Sequence, residues 1–222
     1  SLELFGKDNH AKRLLTYAAS FGNTTLEKLK KYKKTEEVGA LLKKFDAISV
    51  RDANSGTIVE QLTGKEPVYN LDPVLTYDYM NCCDKIPRVQ THEKYLILYA
   101  YAGRISNEEA EWISDYAKKK KLKVYAIGGI QKCADRFVDC SPFEVLAYFR
   151  NAEEVITDTF HGSIFSVITH RPFTTLIRKS VGNSYGNEEK LSDLLERLEL
   201  ANRMTTKIED AENINEKAID YA

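Results

Sequence analysis

Short apolar runs alternate with longer amphipathic stretches along most of this chain, and the alternation predicts an α/β protein. The runs at 14–19, 47–50, 68–71, 95–101, 124–127, 155–157 and 173–177 have the continuous apolar character of strands buried on both faces. Helical periodicity marks 25–32, 36–45, 107–120 and 188–198. A further helix is expected over 55–62, with Asn54 as N-cap and Gly64 as stop. Ser141-Pro142-Phe143-Glu144 reads as a capping box with proline at the first helical position, opening a helix through Arg150. The final twenty or so residues read as helical or frayed. Strands alternating with helices imply mostly parallel sheets flanked by helices.

The stretch 76–93 breaks this rhythm. It carries Tyr77, Asp78, Tyr79, the adjacent Cys82 and Cys83, and Pro87 with little periodicity, so it reads as a linker. The expected organisation is a first α/β unit over 1–75, the linker over 76–93, a second Rossmann-like unit over 94–187 and C-terminal helices over 188–222. The first unit shows three strands and no strand before Leu14, which reads as a fragment lacking the start of its domain.

Composition narrows the class. The chain has 222 residues, 43% hydrophobic and 29% charged, with a formal net charge of −1. No global field recruits nucleic acid or a membrane surface. No apolar run reaches the ~20 residues of a membrane helix, and the start lacks the apolar core of a signal peptide. Lys118–Lys121 reads as the solvated, dipole-favoured last turn of a helix. Cys82, Cys83, Cys133 and Cys140 have no C-x-x-C spacing, which points to reduced thiols in a cytoplasmic protein without structural zinc or other metal.

Candidate chemistry collects where strands pass into helices. In 156–166 a strand leads into a helix expected over Ser163–His170, with Asp158, Thr159, His161 and Gly162 at the junction. A helix N-terminus favours an anion, glycine permits close approach, and histidine moves protons near neutral pH. The same residues also fit a plain reading in which Asp158 or Thr159 caps the helix and His161 is structural. Arg51, just past a strand end, fits either a bidentate anion ligand or a salt bridge with Asp52 or another acid. Ser20, within Ala18-Ala19-Ser20-Phe21-Gly22, ends another strand among small residues, and Asp72 orders a turn at a third. No G-x-G-x-x-G, P-loop or G-x-S-x-G pattern occurs.

The segments YAASFG (17–22), FDAISVRDANSG (45–56), LDPVL (71–75), SPFEVLAYFRNAEEVITDTFHGSIFSVITHRPF (141–173) and EEKLSDLLERLEL (188–200) occur in that order. The whole resembles the polysaccharide pyruvyl transferase family. The resemblance implies two Rossmann-like domains arranged as in GT-B glycosyltransferases. It implies transfer of a pyruvyl group from phosphoenolpyruvate to sugar hydroxyls, forming a ketal in cell-surface polysaccharide biosynthesis. On this analogy Arg51 binds one anionic group, His161 binds phosphate or shuttles a proton, and the N–H groups near Gly162 and Ser163 cradle an oxyanion. Many relatives carry arginine or serine where this chain has Thr159, which shifts donor binding toward Arg178 or Lys190. The implied partners are phosphoenolpyruvate and a sugar or polysaccharide-precursor acceptor, with self-association left open. Two other readings share these residues: a GT-B-like glycosyltransferase using a nucleotide sugar, and a non-catalytic fragment.

Overall fold

A computed structural model describes residues 2–89, 91–179 and 188–221. The chain divides into two compact units, Ser1–Thr76 and Tyr77–Ala222.

The first unit holds helix α1 (Leu26–Lys31), α2 (Thr35–Leu42), strand β1 (Ser49–Val50), α3 (Ala53–Thr63) and β2 (Val68–Tyr69). β1 and β2 pair in parallel. Their core gathers Leu26, Leu29, Val38, Leu42 and Ile58. The run at 14–19, expected as a strand, makes only two isolated parallel bridges, Leu15 to Ala47 and Ala19 to Val50. Four steps on one side face three on the other, a bulge, and Ala18 absorbs it with φ +48°. Side chains replace the missing ladder bonds: the Ala18 N–H donates to Ser49 Oγ at 2.8 Å and the Ser49 N–H to Thr16 Oγ1 at 2.9 Å. Helix α3 begins two residues before the expected start. Its cap is Asp52, which accepts the Ser55 N–H at 2.8 Å, while Asn54 donates to the Thr24 carbonyl instead.

The second unit runs α4 (Tyr79–Cys82), β3 (Tyr95–Tyr99), α5 (Asn107–Lys120), β4 (Lys123–Ile127), β5 (Arg136–Phe137), α6 (Pro142–Asn151), β6 (Glu154–Thr157), α7 (Phe160–Ile168), β7 (Phe173–Leu176), α8 (Glu188–Arg197), β8 (Met204–Thr205) and α9 (Ala211–Glu216). One six-stranded sheet, in the order β5-β4-β3-β6-β7-β8, is parallel throughout. Counted by appearance, that is the doubly wound order 3-2-1-4-5-6, with its topological switch between β3 and β6. Strand β3 explains the layers. Tyr95 and Ile97 pack with Val145 and Phe149 of α6 and Leu195 of α8, while Leu96 and Leu98 pack with Ile113 and Tyr116 of α5 and Ala211 of α9. A strand covered on both faces reads as an unbroken apolar run, and this one does.

Two expectations are corrected here. Residues 77–89 are not a free linker: Tyr79, Met80, Cys83, Ile86 and Val89 pack against Leu146 and Ala147 of α6 and Phe165 and Ile168 of α7. The segment expected as C-terminal helices over 188–222 also carries a strand, β8, which with α9 completes the second sheet and its cover. The expected boundary at 187 falls within 180–187, outside the described residues.

Polar anchoring fixes that C-terminal cover. Arg203 is fully buried, and its guanidinium donates to the carbonyls of Ile214 (2.6 Å), Lys217 (2.8 Å) and Ala218 (2.7 Å), closing the end of α9. Lys119 and Lys120 pair with Glu212 and Glu216 of α9, so this part of the lysine run ties two helices together. Trp112, the only tryptophan, stacks on Tyr116 at 4.9 Å between ring centroids. Tyr116 donates to Glu154 at 2.8 Å, and Glu154 also accepts from Asn215 at 2.9 Å.

Burial raises the Glu154 carboxyl above its ordinary value, against the pull of those two hydrogen bonds. The folded state therefore keeps this proton to higher pH than the unfolded chain does. The linked stability is complete below the unfolded value, about 4.3, and is lost as pH rises through the folded value. Glu154→Gln should flatten the decline of the urea midpoint between pH 4 and 8. Parallel wild-type and variant curves would remove Glu154 as the source.

Candidate functional site

The switch between β3 and β6 opens at the carboxyl ends of the strands, where doubly wound sheets bind ligands. Tyr99 and Thr157 are opposite each other there. The Thr157 hydroxyl donates to the Tyr99 carbonyl at 2.7 Å and accepts the Thr159 N–H at 3.1 Å, so the chain turns sharply out of β6. Thr159 then caps α7, its Oγ1 accepting the Gly162 N–H at 2.9 Å. The helix thus starts at Phe160, three residues earlier than expected. Gly162 is required: a Cβ there would lie 2.1 Å from Thr157 Oγ1 and 2.6 Å from Tyr99 Cδ1.

His161 stands in the first turn of α7, exposed, with its ring 5.6 Å from Phe160 and 5.9 Å from Phe165. Asp158 is fully buried at the strand end, and its Oδ2 lies 3.5 Å from Arg104 Nη1. Burial raises the Asp158 carboxyl, while the charges of Arg104 and then Arg178 draw it back down. Arg178 itself is held by Glu109 of α5 at 2.5 and 3.1 Å, a bidentate pair. Glu109 also accepts the Ser106 N–H at 2.9 Å, so the α5 capping box fixes the carboxylate that fixes Arg178.

The candidate residues therefore fall into groups. Asp158, Thr159, His161, Gly162 and Arg178 gather at the switch of the second unit. Ser163 is buried beneath them, its hydroxyl on the Thr159 carbonyl (3.2 Å) and Thr175 Oγ1 (2.9 Å), and its N–H is bonded to the Thr159 carbonyl at 3.2 Å. With Gly162 bonded to the cap, these two N–H groups serve the helix, so the expected oxyanion cradle is corrected to a structural role.

Ser20 and Arg51 belong to the first unit, at neighbouring strand ends: the Arg51 N–H donates to the Ala19 carbonyl at 3.1 Å. Ser20 Oγ accepts the Gly22 N–H at 3.1 Å. Arg51 pairs with buried Asp72, which also accepts the Val74 N–H at 3.0 Å, so the acid beside Arg51 is Asp72 and not Asp52.

Sequence reasoning missed Arg104. It lies in the loop between β3 and the α5 cap, the same strand-to-helix position that singled out Arg51 and His161. Its neighbour Asp158 is 54 residues away and meets it only across the switch.

The polysaccharide pyruvyl transferase family model matches residues 2–180. The chain belongs to the polysaccharide pyruvyl transferase family. No curated protein matches it in sequence. Among solved structures it is similar to the UDP-GlcNAc 2-epimerase of Methanocaldococcus jannaschii, solved with UDP-GlcNAc and UDP: TM-score 0.50, 13% identity, 97% of this chain and 65% of that one. Similarity extends to a putative UDP-N-acetylglucosamine 2-epimerase of Listeria monocytogenes, at TM-score 0.46 and 12% identity over 100% of this chain and 65% of that one. At these identities the likeness shows the fold alone, in which this family member shares the mostly parallel α/β build of GT-B-type enzymes. The chain spans about two thirds of each epimerase's length. Among the described residues no helix is long and apolar enough to cross a membrane, and no cluster of three or more His, Cys, Asp or Glu is placed to hold a metal. All four cysteines are unbridged.

Proposed function

We propose that this chain carries a pyruvyl transferase site taking phosphoenolpyruvate as donor and a sugar diol as acceptor, in a cytoplasmic step of polysaccharide assembly. The observation that supports this most is the placement of His161 in the first turn of α7, directly after the strand end where buried Asp158 pairs with Arg104, in a member of this family. The donor carries a phosphate and a carboxylate, and the positive end of the α7 dipole and the guanidinium groups suit both.

The overall change balances without a cofactor. The donor C3 gains a proton and becomes a methyl. One sugar oxygen bonds to C2, phosphate leaves with its bridging oxygen, and the second sugar oxygen closes the ketal. Of the two hydroxyl protons, one balances C3 and the other the phosphate. In this reading His161 hands protons between these centres or holds the departing phosphate.

The test is release of inorganic phosphate from phosphoenolpyruvate that depends on an added sugar diol. Acceptor-dependent turnover of UDP-GlcNAc with none from phosphoenolpyruvate would replace this reading with the nucleotide-sugar one. Arg51→Ala is expected to weaken donor binding on the order of tenfold, the loss of one charge-assisted contact. Because Arg51 also neutralises Asp72, Arg51→Lys is the companion variant, retaining the charge. Calorimetric Kd values unchanged in both would remove Arg51 from donor binding.

A further inference from the structure

We propose that Tyr101 and Ile130 form a platform for the sugar ring of the acceptor, at the carboxyl ends of β3 and β4. The inference rests on the pyruvyl transferase reading above and adds the acceptor's place to it. β3 and β4 end level with each other, Tyr99 opposite Ile127, so the loops that follow leave the sheet side by side.

The loop after β4 is specialised to hold the loop after β3. Gly128, at φ +85°, lies so close to Tyr99 that a Cβ there would be 2.9 Å from the ring's Cε2. A Cβ on Gly129 would sit 2.3 Å from the Ala102 nitrogen, so the two backbones touch. Gln131 is buried, and its amide nitrogen donates to the carbonyls of both Ala100 (3.1 Å) and Tyr101 (3.2 Å). Between these anchors Ile130 is 72% exposed, and on the loop they hold Tyr101 is 51% exposed. Two glycines and a buried amide thus fix a pair of loops whose outward side chains are an aromatic ring and a branched aliphatic one. Apolar surface held rigidly in water does nothing for the free chain and suits a ligand.

Chemistry selects the occupant. Phosphoenolpyruvate is a small, doubly anionic molecule with no apolar face to lay on a ring. A pyranose has such a face, made by its axial C–H bonds, with hydroxyls around its rim. Tyrosine matches it, an apolar body with a polar tip that stays wet. Position agrees with this choice. The Arg104 guanidinium lies 4.8 Å over the Tyr101 ring, and its Nη1 is 3.5 Å from Asp158 Oδ2. The platform is therefore continuous with the switch at which α7 and His161 begin, and a sugar seated on it adjoins the donor's place.

The experiment follows phosphate release from phosphoenolpyruvate against the concentration of the methyl glycosides of glucose, galactose and mannose. It compares wild type, Tyr101→Ala, Tyr101→Phe, Ile130→Ser, Gln131→Ala and the Tyr101→Ala/Gln131→Ala double variant. Saturation-transfer NMR of the same glycosides without donor, and thermal melts, accompany it. Tyr101→Ala is expected to raise the acceptor KM about tenfold or more, with the donor KM within about twofold and kcat within about threefold. Tyr101→Phe keeps the ring and should stay near wild type. Ile130→Ser leaves the Arg104 contact to Tyr101 in place and should raise the acceptor KM about threefold. Gln131→Ala should raise it as well and add nothing once Tyr101 is alanine, which marks a positioning residue. A folded Tyr101→Ala variant with the wild-type acceptor KM overturns the platform and leaves the pyruvyl-donor reading standing. Glycoside binding that is lost in Tyr101→Ala, with no phosphate released by wild type, supports the platform and overturns that reading. Wild type that neither binds nor turns over any of the glycosides overturns both.

Discussion

His161→Ala is expected to lower transfer by roughly 10²- to 10⁴-fold, the range of a positioned proton-transfer group. Its melting temperature should stay within about 2 °C of wild type, as for a surface change of under ~0.5 kcal/mol. Two features argue for that separation. The ring is exposed, and it leans on Phe160 and Phe165 without forming part of the buried core. The α7 cap is made by Thr159 and Gly162, so the helix start survives loss of the imidazole. His161→Gln distinguishes the two roles. If the imidazole moves protons, kcat collapses with KM nearly unchanged; if it holds phosphate, KM rises and glutamine recovers part of it. Full turnover in the alanine variant would place the chemistry elsewhere.

Gly162→Ala should have the largest effect on stability, about 3 kcal/mol or roughly 10 °C in Tm. Helix propensity alone predicts the opposite sign, a gain near 1 kcal/mol. Packing outweighs it. The added methyl would meet Thr157 Oγ1 at 2.1 Å, Tyr99 Cδ1 at 2.6 Å and Thr159 Oγ1 at 2.7 Å. Two of those atoms are hydrogen-bonded links: Thr157 joins β6 to the end of β3, and Thr159 caps α7. The backbone of the helix start must move, and Asp158 and His161 move with it. A thermal melt by circular dichroism decides the matter; an alanine variant as stable as wild type would mean that the junction relaxes freely.

Legibility in the sequence tracked the length and burial of each element. Strands β3, β4, β6 and β7 have four or five residues each, largely buried and rich in apolar and β-branched side chains, and could be read directly. Strands β5 and β8 have two residues each and lie at the sheet edges, too short for any periodicity. Residues 77–89 looked aperiodic because their apolar side chains dock singly onto α6 and α7 instead of forming one helical stripe. At α3, Asp52 and Asn54 are both good capping types, and only the fold shows which side chain reaches the Ser55 N–H. The site followed the same rule. Residues contiguous at the α7 start were legible, whereas Arg104 gains its meaning from a pairing across two strands.

The stack of Trp112 on Tyr116 has a practical consequence. The chain's one indole lies in the second unit, on a helix whose neighbouring tyrosine is bonded to the buried Glu154. Tryptophan emission is therefore a local gauge of that unit, and the first unit is dark to it. Far-ultraviolet dichroism sums over both. Denaturation curves from the two signals coincide only if the units unfold together. Any gap between them measures how independently residues 1–76 lose their structure.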